Sequence, residues 1–456
     1  MKRRLLSLGL VFAACGQTPQ GALPDPDAGS STIPDAGVVA DAGIPPPCEL
    51  GSLPDRLSTT PGGRLSFALH PSPGATAEVE APANWRVDAR DPANLRIRVP
   101  YDTSGTSALQ VRVHCGDRSA EGSVMVDVAA MAWSRLAEFE APPSGPAARQ
   151  FASLWFDPLS PDRLLIQGGF AGMNALDDLW EFVVPKSQLN LLSMHSTNLA
   201  APSAIAPSSD DSSAYVFDEA TGGSDFTLLK LEYGEEGLRT STVVVTNPPA
   251  ATSAYGAFVF DAAGQRYVSA CGYFGNGLAC RVDTFDPATG IWEEREVTSE
   301  DGTTPSGRYG FAQGYDRENA RLVIFSGGQT PTPANPVNPA QDTWALALGA
   351  DPIRWVKLSP GGEQPPGRRN SCSAVDPVGH RLFVWGGTPD LMNVPPGLYA
   401  LDLDLGFEAW TRIEVPGEPP ARSGCAATYD VARHQLIVGF GNTRSAIYRD
   451  LFALQL

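Results

Sequence analysis

Arginine is the residue whose placement most suggests chemistry in this chain of 456 residues. Arg149, Arg308, Arg369 and Arg422 each open a short run, in Arg149-Gln-Phe, Arg308-Tyr-Gly, Arg369-Asn-Ser and Arg422-Ser-Gly. A guanidinium presents a rigid fork of donors that meets a carboxylate through two parallel hydrogen bonds. Four of them at equivalent places could ring one opening and bind an anion such as an acidic peptide or an acidic sugar. The competing reading is that each fork pairs with a nearby aspartate and packs its stem inside the fold. Other chemistry is sparse. His70, His114, His195, His380 and His434 form neither H-x-H nor H-E-x-x-H, so no zinc site is expected. Most of these histidines are expected on the surface or in turns. Gly105-Thr-Ser-Ala-Leu109 starts like a nucleophile elbow but ends in Leu instead of Gly. No glycine-rich loop leads from a strand into a helix, so no phosphate cradle is expected. Catalytic residues, metal and cofactor are all expected to be none.

The elements that would position the arginines recur with a period of roughly 55 residues from Trp133 onward. After the Arg-led strand comes an aspartate corner at Asp157, Asp261, Asp316, Asp376 and Asp430. Aspartate suits a corner because its side chain can accept hydrogen bonds from the backbone just ahead. A second strand then starts at Arg163, Arg266, Arg321, Arg381 or Gln435. It ends in glycines, as in Leu164-Leu-Ile-Gln-Gly-Gly169 and Leu322-Val-Ile-Phe-Ser-Gly-Gly328. A third strand opens with Asp, one residue, then an aromatic: Asp178-Leu-Trp180, Asp283-Thr-Phe285, Asp342-Thr-Trp344 and Asp450-Leu-Phe452. Gly397-Leu-Tyr399 is a relaxed copy. Tryptophan marks the fourth strand at Trp133, Trp292, Trp355 and Trp410.

Four strands per repeat at this period describe a propeller blade. Glycine pairs let chains approach closely near the axis, and large aromatics fill the wider gaps further out. These phrases resemble the kelch repeat of galactose oxidase-like and kelch-type propellers. The resemblance implies a six-bladed kelch-type β-propeller over residues 131–456. The unit near residues 203–245 is degenerate, with Ser213-Ala-Tyr-Val-Phe-Asp218 where a glycine pair is expected. The repeat starts on a fourth strand, Trp133-Ser-Arg-Leu, and ends on a third, so the first strand should complete the last blade. Galactose oxidase uses a copper centre, and the ligands for one are not matched here. Ser208-Ser-Asp-Asp-Ser212 lacks the Gly and Trp of a sialidase Asp-box.

Ahead of the repeats, residues 48–130 carry alternating runs such as Ala108-Leu-Gln-Val-Arg-Val113 and Ser123-Val-Met-Val-Asp-Val128. Alternation buries one face of each strand. An immunoglobulin-like β-sandwich acting as a spacer is expected, without a tryptophan at the usual core position. The fold class is therefore all-β, a small sandwich followed by the propeller.

Lys2, Arg3 and Arg4 precede ten apolar residues and then Cys15, which reads as an export signal over residues 1–15. Val11-Phe-Ala-Ala-Cys15 resembles the bacterial lipobox, whose cysteine carries lipid. Residues 16–47, rich in Asp, Pro, Ala and Gly, cannot bury a core and read as a disordered tether. Asp25-Pro-Asp27 lacks the downstream glutamate of a calcium loop. The remaining cysteines number six, an even count that suits an exported protein. Cys48 with Cys115, Cys271 with Cys280, and Cys372 with Cys425 are the expected pairs, the last at equivalent places in adjacent repeats and requiring α-carbons within about 7 Å.

The formal net charge of −18 repels phosphate backbones, so nucleic acid is not expected as a partner. The expected protein is an exported monomer, lipid-anchored in the bacterial cell envelope at the outer membrane. It would act as a non-catalytic module binding a protein or glycan ligand, with an acidic ligand favoured by the arginines. The alternative is a carbohydrate-directed enzyme of the sialic acid mutarotase type, which would need an acid or base beside the arginines.

Overall fold

The computed structural model describes residues 48–69, 75–90, 94–194, 205–218, 227–234, 237–249, 255–274, 277–299, 301–330, 339–390 and 393–456. The signal, Cys15, the tether, His70 and His195 lie outside the described residues. The chain divides into two compact units, Met1–Ala129 and Ala130–Leu456. Strands dominate both, and the described residues include one three-residue helical turn, Val184–Lys186.

The first unit holds a four-stranded and a three-stranded sheet. Gly105–Cys115 and Arg118–Val128 form its long hairpin. Leu109, Val111 and Val113 are buried on the first strand while Gln110 and Arg112 face out, as alternation requires. Leu109 packs with Leu65, Ile97 and Val99, and Val111 with Leu69 and Leu95, from the other sheet's strands and from residues beside them. Trp85 is also buried in this core, one residue before the strand Arg86–Asp88. Arg56–Thr59, Thr76–Glu80 and Arg86–Asp88 are strands that alternation did not reveal, being short and only partly buried. Cys48 is bonded to Cys115.

Among the described residues the second unit contains six sheets, each built on four antiparallel strands, and one two-stranded hairpin, Phe170–Ala171 with Asn174–Ala175. They cover residues 153–194, 205–243, 257–295, 312–358, 369–413 and 426–455, and are called here the first to sixth sheets. The degenerate segment does form all four strands, from Ile205–Pro207 to Gly237–Val243. Only the sixth sheet draws its fourth strand from elsewhere: Ala132–Glu138 pairs antiparallel with Asp450–Gln455. The first strands of successive sheets touch in series, and Ala426–Asp430 of the sixth touches Ser153–Asp157 of the first.

Each aspartate corner is buried and accepts from backbone ahead of it. Asp157 takes the Leu159 amide, Asp376 those of Val378 and Gly379, and Asp430 that of Arg433. In the degenerate sheet Ser208 does the same work, its Oγ accepting from the amides of Asp210 and Asp211. Arginine at the start of the second strand neutralises the corner, as in Arg321–Asp316 at 2.9 Å and Arg381–Asp376 at 3.0 Å. A side chain of the following sheet then reaches back. Ser212 donates to Asp157, Tyr315 to Asp261, and His380 Nε2 lies 2.9 Å from Asp316.

The glycine pairs serve two constraints at once. Gly386 and Gly387 have φ of 65° and 78°, the left-handed region that other residues enter at a cost. A β-carbon on Gly386 would also fall 2.2 Å from the Arg422 carbonyl of the next sheet. Cys372 and Cys425 lie on the facing first-strand sides of the fifth and sixth sheets, with α-carbons 5.4 Å apart, and are bonded. Cys271 is bonded to Cys280 across its hairpin.

Candidate functional site

Three of the four arginines are structural. Arg149 is fully buried and grips Asp178 through Nη1 and Nη2, both at 2.6 Å. Arg308 holds Asp342 and Arg422 holds Asp450 in the same two-pronged way. Each Nε donates to the carbonyl two residues back, of Ala147, Ser306 and Pro420. Each Nη1 also donates to a carbonyl at the end of the second strand, of Gly168, Ser326 and Phe440. Every prong is used and no surface remains, so these three do not ring an opening as free cations. The expectation of an anion ring on them is corrected for that reason. For Asp342, burial pushes the carboxyl up, but the hydrogen bonds and charge of Arg308 outweigh it and hold it below its ordinary value.

Arg369 was assigned to this set one residue out of register. The equivalent is Arg368, whose Nε donates to Pro366 O and whose Nη1 donates to Gly386 O at 2.9 Å. A sequence signal was there to find it. A proline stands three residues before Arg149, Arg308, Arg368 and Arg422, at Pro146, Pro305, Pro365 and Pro419, and all four prolines are buried. Asp283 is out of register too. It pairs with Ser269 on its neighbouring strand, three residues past Arg266, whereas Asp178 follows a bridge at Leu179↔Gln167, four past Arg163. Asp283 is buried and pairs instead with Arg281 at 3.0 Å, and burial raises its carboxyl despite that partner. His380 corrects the surface expectation, since it is almost fully buried between two carboxylates.

Two residues beyond each core arginine the backbone turns left-handed, at Phe151, Gly310, Asn370 and Gly424, with φ between 55° and 60°. Tyr255 holds the matching place in the third sheet, with φ 56°. These residues hydrogen-bond to one another across sheets. Phe151 N donates to Gly424 O, Gly424 N to Asn370 O, Asn370 N to Gly310 O, and Gly310 N to Tyr255 O, at 2.6 to 2.8 Å. Five sheets are thus tied by main chain around one opening. The signal was the glycine or asparagine two places after the arginine, residue types that tolerate positive φ.

A cavity of about 190 Å³ lies against this band, lined by Phe151, Tyr255, Gln313, Asn370, Ser371 and Gly424 among others. Ligand pockets run from roughly 300 Å³ upward, so this one suits ordered water better than a sugar ring. Its lining contains no carboxylate and no histidine. Around it runs a file of half-buried aromatics. Phe170 meets Phe151 edge-on at 6.4 Å, Phe151 meets Tyr255 at 5.4 Å, and Tyr255 meets Tyr309 at 6.1 Å. Arg369 ends the file, its guanidinium 5.8 Å from the Tyr309 ring centre and hydrogen-bonded to the Tyr309 hydroxyl. Among the described residues Arg369 has no carboxylate partner. Met173, at the tip of the small hairpin that begins with Phe170–Ala171, is 95% exposed.

Residues 257–456 match the family described as the KLHDC2/KLHL20/DRC7 Kelch-repeats domain. Over 105 residues the chain is 31% identical to Adagio-like protein 1 of Oryza sativa subsp. japonica and to Adagio protein 3 of Arabidopsis thaliana. It is 29% identical over 102 residues to Adagio-like protein 3 of Oryza sativa subsp. japonica. The matched stretches cover 22 to 23% of this chain and 16% of each relative. The chain thus spans about a sixth of the length of the curated relatives it matches. It is a kelch-repeat protein of all-β structure, and kelch repeats build β-propellers that commonly serve protein interaction.

Proposed function

We propose that this kelch-repeat chain is a non-catalytic binding protein whose partner docks on the aromatic file ending at Arg369. The carrying observation is the combination at that rim. Phe151, Phe170, Tyr255 and Tyr309 are half-buried residues in mutual contact, and Arg369, 8% exposed, is a cation with no described acid beside it. Aromatic side chains and arginine dominate the energy of protein interfaces. An acidic peptide segment would satisfy Arg369 and cover the rings. The small cavity without acid or base offers nothing that would favour the mutarotase-type alternative.

The remaining architecture is part of the same reading. The six sheets are taken as blades of one ring, closed by the Ala132–Glu138 strand in the sixth. The seven strands of the first unit, in two sheets over one core, are taken as an immunoglobulin-like spacer. A lipid on Cys15 and the 16–47 tether would display both from the cell envelope, a reading supported by the sequence signals alone.

The test is an array of acidic peptides and of glycans probed with the chain. Tyr309→Ala and Arg369→Ala should each weaken a captured peptide at least tenfold, with the thermal midpoint nearly unchanged. Peptide binding indifferent to both substitutions would overturn the site. Glycan hits without peptide hits would overturn the choice of partner.

A further inference from the structure

We propose that Arg368 forms the floor of a buried site for a small monovalent anion, a halide or a one- or two-carbon carboxylate. The molecule supplies its own controls. Arg149, Arg308 and Arg422 are held by the same two carbonyl contacts as Arg368, and each faces an aspartate across the sheet. The register puts Gly397 at that place in the fifth sheet: Arg381 pairs with Asp402 and Trp385 with Leu398, as Gln435 pairs with Gln455 and Gly439 with Leu451. Glycine has no carboxylate to give. The Arg368 guanidinium is therefore fixed in the family pose with its partner's side chain deleted by sequence. Its Nη2 is buried and makes no hydrogen bond among the described residues; Tyr399, the one side chain that acts on the guanidinium as an acceptor, is neutral.

The surroundings fit an anion that is small. Arg368 is 1% exposed, so a bulky oxyanion would have to displace protein. A β-carbon built on Gly397 would meet Arg412 Nε and the Tyr399 ring at 3.4 Å, ordinary contact distances, so beside the backbone there is room for a group of about methyl size and no more. The Tyr399 ring lies 5.2 Å below the guanidinium carbon and cannot neutralise it. Glu418 Oε1 accepts from Gly397 N and Trp385 Nε1, and among the described residues no ion pair joins it to Arg368. A buried cation without a counter-charge is costly. Burial accordingly lowers the Arg368 proton affinity, with Tyr399 opposing. An anion bridging Nη1 and Nη2 would restore what Asp178, Asp342 and Asp450 supply elsewhere.

The experiment uses the full chain. Crystals soaked in bromide should show an anomalous peak within hydrogen-bonding distance of Arg368 Nη2, and none beside Arg149, Arg308 or Arg422. In solution, replacing an impermeant large anion by bromide, chloride or acetate at constant ionic strength should raise the thermal midpoint saturably. At ten times the dissociation constant the rise should be roughly 3 °C. Arg368→Met should lose this rise, and Glu418→Gln should keep it. No anomalous peak at Arg368, or a rise that survives in Arg368→Met, overturns the proposal. If Arg368→Met fails to fold, the bromide peak in the unaltered protein decides alone.

Discussion

His380 Nε2 sits 2.9 Å from Asp316 Oδ1, joining the corner of the fourth sheet to the turn of the fifth. The opposite ring nitrogen, Nδ1, lies 2.8 Å from Asp404. One imidazole thus bridges two buried carboxylates, and the corner is completed by Asn319 and Arg321. Removing the bridge leaves two carboxylates short of a partner inside the protein. His380→Ala should lower the unfolding free energy by about 3 kcal/mol, read from urea denaturation. A loss below about 1 kcal/mol, the value of a surface pair, would mean that the bridge contributes little.

Acid should attack the same place. Burial would raise the Asp316 carboxyl, but hydrogen bonding and charge from His380, with Asn319 and Arg321, bring it down to about 2 from 3.8. A depressed carboxylate contributes stability that is fully present above its unfolded value. That contribution is lost as pH falls through the folded value. Stability should therefore decline between about pH 4 and about pH 2, with Asp316 supplying on the order of 2 kcal/mol of the fall. Asp316→Asn should be less stable at neutral pH and flatter across that window. An unchanged acid limb in the variant would remove Asp316 as its source.

Arg308 and Asp342 form a pair that is structural in every prong. Arg308→Ala should destabilise by roughly 3 to 5 kcal/mol, since it leaves Asp342 partly buried without its partner. Arg308→Lys should recover little, because one ammonium cannot serve both carboxylate oxygens and the Ser306 and Ser326 carbonyls. Thermal melts of both variants beside Arg369→Ala would check the contrast. A mild effect of Arg308→Ala would reopen the reading of that residue as a ligand contact.

The strand Ala132–Glu138 is a second kind of test. Removing residues 132–138 from the chain would uncover the Asp450–Gln455 strand, whose backbone donors and acceptors would then face water. The expected result is a lower thermal midpoint and self-association on gel filtration. A monomer of unaltered stability would show that the strand is dispensable.

Most of the repeat architecture was legible because it rests on local rules repeated many times. Aspartate at corners, glycine pairs after the second strand and tryptophan in the fourth all have short-range reasons, and repetition made them stand out. Ser208 shows the limit. It performs the corner aspartate's role through its hydroxyl, but the residue types differ and the segment looked degenerate. Arg368 and Arg369 show another. Adjacent arginines cannot be told apart by type, and only the buried proline three places earlier marks which one turns inward. His380 was illegible for a different reason. Both acids that draw it inside arrive from other turns, 24 and 64 residues away in sequence. The rim aromatics had no signal of their own, since Phe151 and Tyr255 stand where the other sheets carry Gly or Asn.

The band of left-handed residues is held by amide and carbonyl groups that every residue type possesses. Side chains at those places can therefore be exchanged without breaking these hydrogen bonds where the new residue accepts the backbone angle and has room, which Gly310 lacks, since a β-carbon there would fall 2.2 Å from Asn370 Oδ1. Phe, Tyr, Gly, Asn and Gly already occupy the five described places. A scaffold of that kind can change the side chains of its rim by point mutation, and the rim should diverge faster than the sheets that carry it.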